Sequence, residues 1–263
     1  MTTLLTDLQS GVLSLTLNRP PINAFNLEMV TALRAAFTKA VHDKNVRCII
    51  LTGTGKAFSA GHDVAEMLQV QSQGGGFSYR AHMQATYNPL VLQIRQIEKP
   101  VVAAVNGAAA GAGLGIALAC DLRIAAEAAR FAVGFTGIGL TMDSGVSLLL
   151  PTLIGLGRAT EAAFTNTPVT AEQALVWGLV NRVVPAAELA SETFKLAASL
   201  AAGTVGAFGL TKRAFNRAIL PNLEAVLDYE AHLQEIACKG EEHRQGVAAF
   251  LEKRPPKAAT SYP

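Results

Sequence analysis

Two stretches of the chain repeat one design, and that repetition limits the fold more than any other feature. Residues 48–52, Cys-Ile-Ile-Leu-Thr, form an unbroken apolar run that leads into Ala57-Phe58-Ser59-Ala60-Gly61-His62-Asp63. Residues 101–105, Val-Val-Ala-Ala-Val, lead in the same way into Asn106-Gly107-Ala108-Ala109-Ala110-Gly111-Ala112-Gly113. A short apolar run bounded by turn residues reads as a buried strand. Behind each strand, small residues let a ligand approach the backbone, and a helix starts nearby. Free amides at a helix N-terminus bind negative charge. One such amide from each loop would suffice to bind a developing oxyanion between them. The same small residues also permit plain close packing, and the residues alone leave both readings open.

The rest of the pattern alternates strands and helices up to residue 185. It predicts a strand over 12–17, ended by Asn18-Arg19-Pro20-Pro21. Asn26 then caps a helix running to about His42, with Glu28 in its first turn. After a break at Gly74-Gly75-Gly76, one long helix is expected over 77–97, stopped before Pro100. A helix over 111–119 and a strand over 122–125 follow. Thr170-Ala171-Glu172-Gln173 is a capping box for a helix stopped by Gly178, ahead of a strand over 180–184. From residue 187 to about 250 the pattern is helical, interrupted near Gly203 and Pro221. This predicts an α/β core over 1–186 and a C-terminal helical segment over 187–263, the two belonging to one functional domain.

Composition narrows the partners. Of 263 residues, 50% are hydrophobic and 16% charged, which fits a folded, core-rich chain able to bury surface against copies of itself. A formal charge of +2 gives no electrostatic case for nucleic acid or a bulk anionic membrane. Cys48, Cys120 and Cys238 are too far apart for a disulfide framework or a zinc site, and the five histidines show no metal spacing. Residues 101–120 are long enough to span a bilayer, but Asn106 and four glycines make a strand, a loop and a helix the better reading. The first residues lack a basic region followed by an apolar run, so a cytoplasmic location is expected. Gly111-x-Gly113-x-Gly115 misplaces the third glycine of a dinucleotide loop. Ser144 lacks the G-x-S-x-G elbow of a nucleophilic serine.

Several blocks together carry a resemblance. They are Asn18-Arg19-Pro20 with Asn23-Ala24, Phe58-Ser59-Ala60-Gly61-His62-Asp63, Asn106-Gly107 with Gly111-Ala112-Gly113, and Cys120-Asp121. Ala171-Glu172-Gln173-Ala174 with Trp177-Gly178-Leu179-Val180-Asn181, and Phe250-Leu251-Glu252-Lys253-Arg254, complete the set. In this order they resemble the signatures of the crotonase (enoyl-CoA hydratase/isomerase) superfamily over nearly the whole chain. The resemblance implies a repeated ββα spiral core with a C-terminal helical trimerisation segment, and assembly into a homotrimer or a dimer of trimers. It implies an acyl-CoA thioester substrate, with coenzyme A entering as part of the substrate and no permanently bound cofactor. The backbone amides of His62 and Ala112 would form the oxyanion hole. Ala60, Asp63 and Val64 would line the pantetheine and adenine sites, with Ala24 near the CoA, and Gly111 and Phe135 would border the acyl group. Phe250 and Lys253 would approach the CoA of a neighbouring subunit.

The departures from the family pattern matter more. Family hydratases carry two glutamates, at positions that are Gly115 and Phe135 in this chain. Neither residue can move a proton, and hydration in that subgroup uses both acids. A carboxylate does occur at Asp143, in Gly139-Leu140-Thr141-Met142-Asp143-Ser144-Gly145, a segment similar to the isomerase branch and above all to the 1,2-epoxyphenylacetyl-CoA isomerases. There an acid at this position shuttles a proton. Without the resemblance, Asp143 reads as a cap for a helix over 145–150. Three functions therefore stay open: an isomerase working on Asp143, another crotonase-type enzyme such as a weak hydratase or thioesterase, and a non-catalytic acyl-CoA-binding homologue.

Overall fold

The computed structural model describes residues 2–66, 77–252 and 254. The Gly74-Gly75-Gly76 break and Lys253 lie outside the described residues. Strands β1 (Leu4–Gln9) and β2 (Val12–Leu17) form an antiparallel hairpin. Its turn residues Ser10 and Gly11 both have positive φ, the twist that a two-residue hairpin requires. Asn26 caps α1 (Leu27–His42) as the sequence predicts, its side chain accepting from the Met29 amide.

Three passes of the chain then follow one plan: β3 (Cys48–Gly53) with β4 (Ala57–Ser59), β5 (Val101–Val105) with β6 (Ala108–Ala110), and β7 (Leu122–Ala126) with β8 (Arg130–Ala132). The first strand of each pass joins a six-stranded sheet in the order β1-β2-β3-β5-β7-β10, where β10 is Arg182–Val184. The second joins a four-stranded sheet in the order β4-β6-β8-β9, where β9 is Val169–Thr170. This is the spiral implied by the resemblance, and it explains the duplicated design in the sequence.

The central strands are apolar without alternation because both faces of the large sheet are covered. Ile49, Leu51, Val101 and Ala103 face the main core, while Cys48, Ile50, Val102 and Ala104 face α8 (Leu189–Ala202) through Leu189, Ala197 and Ala201. The apolar stretch 101–120 resolves into β5, β6 and α4 (Ala112–Ala119), every residue of which is buried.

The long helix expected over 77–97 is two helices, α2 (Tyr79–Ala85) and α3 (Tyr87–Gln96). Pro89 causes the break: it has no amide to give the Ala85 carbonyl, and its ring would collide with that carbonyl in a continuous helix. Arg34 Nη1 bonds the Ala85 oxygen instead, at 2.6 Å. The α/β part closes with α5 (Val146–Ile154), α6 (Leu156–Thr165) and α7 (Ala171–Trp177), the last opened by the capping box at Thr170 and Gln173. The C-terminal helices are α8, α9 (Val205–Ile219), α10 (Leu223–Ala237) and α11 (Glu241–Leu251). A break at Cys238–Gly240 joins those foreseen near Gly203 and Pro221.

Arg123, on β7, fixes the far end of α4. Its Nη1 donates to the Cys120 carbonyl at 2.7 Å and to Leu118 at 3.3 Å, and its Nε donates to Leu179 at 2.7 Å. The side chain is 4% exposed, so these carbonyls have little access to water. Arg123→Met keeps the volume and strands the acceptors. We expect it to cost about 3 kcal/mol of stability in urea unfolding, in line with unsatisfied buried polar groups.

Candidate active site

Parallel pairing of β4 with β6 places the ends of these strands side by side, Ser59 opposite Ala109. The chain leaving β4 reaches Gly61, and the chain leaving β6 reaches Gly111. Both glycines have positive φ, +89° and +54°. A Cβ on Gly61 would stand 2.8 Å from the Ala110 oxygen and 3.1 Å from the Ala112 nitrogen, so only glycine admits this contact between the loops. Gly113 is held to the same rule, with 2.5 Å to the Ser59 oxygen.

Each loop presents an amide. Ala112 is the first residue of α4, where no preceding turn supplies an acceptor. His62 forms a parallel bridge with Phe25, and that bridge uses the Gly61 carbonyl (2.7 Å) and the Asp63 amide (2.9 Å). The His62 amide therefore faces away from Phe25. Among the described residues neither the His62 nor the Ala112 amide has an acceptor.

The residues beside this pair are held by local bonds. Arg19 Nη2 meets Asp63 Oδ2 at 2.6 Å, and Arg19 Nη1 donates to the Ala24 carbonyl at 2.9 Å. The Ala60 amide donates to Ile22 at 2.9 Å. Burial opposes ionisation of Asp63, but the Arg19 bond and the amides of Glu66 and Ala65 outweigh it and hold the carboxyl below the usual range. Val64 packs against the core, and Phe135 is buried with its ring 3.8 Å from a Cβ placed on Gly111. Ala24, Ala60, Gly61, His62, Asp63, Val64, Gly111, Ala112 and Phe135 thus share one region. Phe250, on α11, is 59% exposed.

The His62 ring lies inside an aromatic nest of Phe77, His82 and Tyr87. Its Nδ1 is 2.9 Å from the Tyr87 hydroxyl. Burial, aided by the nearby His82, pushes its pKa down to about 3, so the imidazole is neutral at physiological pH.

Asp143 is 3% exposed and does not cap α5. Glu230 of α10 takes that place: its carboxylate accepts from the Gly145 amide at 2.8 Å and the Ser147 amide at 2.9 Å, and also from the Ser147 hydroxyl. The Asp143 carboxyl accepts from Ser144 Oγ at 2.7 Å and Gln234 Nε2 at 2.8 Å. Burial drives its pKa from 3.8 up to about 7; the Glu230 charge adds to the rise, and the Ser144 and Gln234 bonds partly offset it. Gly115 explains how the Asp143 turn comes so close to α4. A Cβ there would stand 2.6 Å from Ser144 Cβ and 2.8 Å from its carbonyl oxygen.

Glu230, Gln234 and Tyr87 are absent from the sequence reading, yet α10 carried a signal. Leu223, Leu227, Glu230, Ala231 and Gln234 form its buried stripe, with polar residues at two of five positions where helical periodicity expects apolar ones.

A two-sheet ββα spiral whose paired loop ends meet through glycine and present backbone amides defines the crotonase class of α/β proteins. The chain belongs to the enoyl-CoA hydratase/isomerase family, whose model matches residues 7–260. It is 39% identical to the 1,2-epoxyphenylacetyl-CoA isomerase of Escherichia coli K12 over 97% of each chain. It is also 39% identical to a probable enoyl-CoA hydratase of Rhodobacter capsulatus over 95% of each. The crystal structure of an enoyl-CoA hydratase from Mycobacterium avium subsp. paratuberculosis superposes with a TM-score of 0.86 at 36% identity, covering 98% of both chains.

Because the folded pKa of Asp143 lies above its unfolded value, ionisation opposes folding. The penalty is absent below the unfolded pKa and grows as pH rises through about 4 to about 7. Asp143→Asn removes it. We expect the stability of the variant relative to wild type to rise by up to about 4 kcal/mol between pH 4 and pH 8, measured by urea unfolding across the range.

Proposed function

We propose that the protein is an acyl-CoA isomerase that moves a proton on a thioester through Asp143. The observation that carries this reading is the setting of Asp143: a buried carboxyl whose pKa is raised to about 7, so that it exchanges its proton near neutral pH. A helix cap or a binding surface has no need of such a group. Glu230, the other buried carboxylate near the turn, is committed to the end of α5. Gly115 and Phe135 offer no acid for activating water, and Ser144 fills the space beside Gly115.

The mechanism follows from these parts. The thioester carbonyl accepts hydrogen bonds from the amides of His62 and Ala112, each worth about 2.7–4 kcal/mol to the developing oxyanion. The α proton becomes acidic, and Asp143 removes it. The enolate is held at the two amides while Asp143 returns the proton at the γ carbon. A single base suffices because the proton is relocated, with no net gain or loss. Ala24, Ala60, Asp63 and Val64 would hold the CoA portion, and Phe135 would keep water from the acyl group. A flat apolar wall at Phe135 suits a ring-bearing acyl group as well as a linear enoyl chain. The relation to an epoxyphenylacetyl-CoA isomerase favours the ring substrate.

We further propose a homotrimer or dimer of trimers in the cytoplasm, with the C-terminal helices taking part in assembly. Phe215 and Tyr229 on α9 and α10 are exposed, as are Leu156 and Phe164 on α6 and Val176 on α7. Burial of these side chains against copies of the chain would favour assembly. Light scattering at micromolar concentration should give three or six times the 27.6 kDa chain mass; a monomer contradicts the assignment.

Incubation in deuterated water with a 3-enoyl-CoA, the 1,2-epoxide of phenylacetyl-CoA and crotonyl-CoA tests the reaction. Wild type should isomerise one of the first two with exchange at the α carbon and hydrate crotonyl-CoA only weakly. Asp143→Asn should lose isomerisation by about three orders of magnitude or more while binding CoA thioesters normally. Near-wild-type turnover in the variant removes Asp143 from the mechanism.

A further inference from the structure

The helix α10 contributes two side chains to the turn that carries Asp143, and both are buried: Glu230 at 3% and Gln234 at 0% exposure. They sit one helical turn apart and so point to the same side. Gln234 bonds Asp143 directly, and Glu230 holds the amides of Gly145 and Ser147 on the following residues. The groups facing Asp143 from the other elements are the hydroxyls of Tyr79 on α2 and Tyr87 on α3, both of which feel its charge, and Ser144 on its own turn. Among the described residues no cation pairs with it.

The chemistry of these partners is selective. A lysine or arginine would lock Asp143 as a carboxylate, because neither accepts a hydrogen bond. A serine hydroxyl and a glutamine amide each offer a donor and an acceptor. Gln234 gives its N–H to Asp143, and its buried Oε1 has no partner among the described residues. An unpaired acceptor in such a place is costly unless another state uses it. Protonated Asp143 is that state, since rotating the amide lets Oε1 accept the new O–H.

We propose that Gln234 is a positioning residue that follows the proton on Asp143, giving N–H to the carboxylate and C=O to the acid, while Glu230 supplies the fixed negative charge that keeps the acid form accessible. The inference rests on the reading of Asp143 as the proton carrier and adds to it the device that serves both of its protonation states. Burial raises the Glu230 carboxyl above its ordinary range, and three donors, two of them amides at the start of α5, offset part of that rise and favour its charged form.

The two residues act in opposite directions, and this gives the test. The Asp143 carboxyl is titrated directly by carbon-13 NMR, in parallel with the pH dependence of kcat and kcat/KM, in wild type, Glu230→Gln and Gln234→Met. Glu230→Gln should move the Asp143 titration to lower pH by about one pH unit, and Gln234→Met should move it to higher pH by about half as much, because the charge-assisted bond to the carboxylate is the stronger of the two that Gln234 makes. Gln234→Met should also lower kcat with little change in KM, because it serves bound substrate only through Asp143. Gln234→Asn, whose shorter amide cannot span the contact, provides a second variant and should behave as Gln234→Met does. Shifts in the same direction, or an unmoved titration, overturn the proposal even where Asp143→Asn is inactive. If the titration moves as expected but Asp143→Asn retains activity, the tuning stands and the role of Asp143 as base falls.

Discussion

Parallel pairing between β4 and β6 is the interaction on which the rest of the site depends. Two strands of three residues each bring together loops that are about fifty residues apart in the chain. Their ends then touch through glycine at 61 and 113, where no side chain would fit. The His62 and Ala112 amides owe their shared position to this pairing and to the large sheet behind it, which fixes β3 and β5 in the same order. The proposed oxyanion donors are backbone amides, and in this framework their positions are fixed before a ligand arrives.

Asp143 is positioned by a different logic. It lies on a turn with Ser144 and Gly145 at positive φ, a shape that costs energy for serine. Glu230 and Gln234 reach that turn from a helix more than eighty residues later in the chain. The C-terminal segment thus reaches the Asp143 turn through hydrogen bonds as well as packing. Burial raises the pKa of the acid, and the Glu230 charge and the Gln234 bond then adjust it in opposite directions.

The parts legible in the sequence are those set by local chemistry. Asn26 and Thr170 announced their helices because capping is a contact between near neighbours, and the family resemblance implied the spiral. The family blocks pointed to the two amides and to Asp143. The misses have equally physical causes. Residues 77–97 read as one helix because periodicity carried across Pro89, whose missing amide and bulky ring split it. Without the family blocks Asp143 reads as a cap, because its neighbours Glu230 and Gln234 are distant in sequence and buried positions on a helix are usually apolar. Burial of His62 in an aromatic nest also depends on tertiary contacts with Phe77, His82 and Tyr87.

Gly115 gives this site a history. Where hydratases of the family keep an acid, the chain has no side chain at all, and the turn carrying Ser144 has settled into the space. A mutation restoring glutamate there meets backbone and side-chain atoms at 2.6–2.8 Å before it meets any substrate. The route back to an acid at this position first requires the turn to withdraw, which would pull Asp143 away from Gln234. Each step of that path loses the present arrangement before an acid is seated. The glycine therefore works as a ratchet, because any side chain at this position is costly while the Asp143 turn keeps its place.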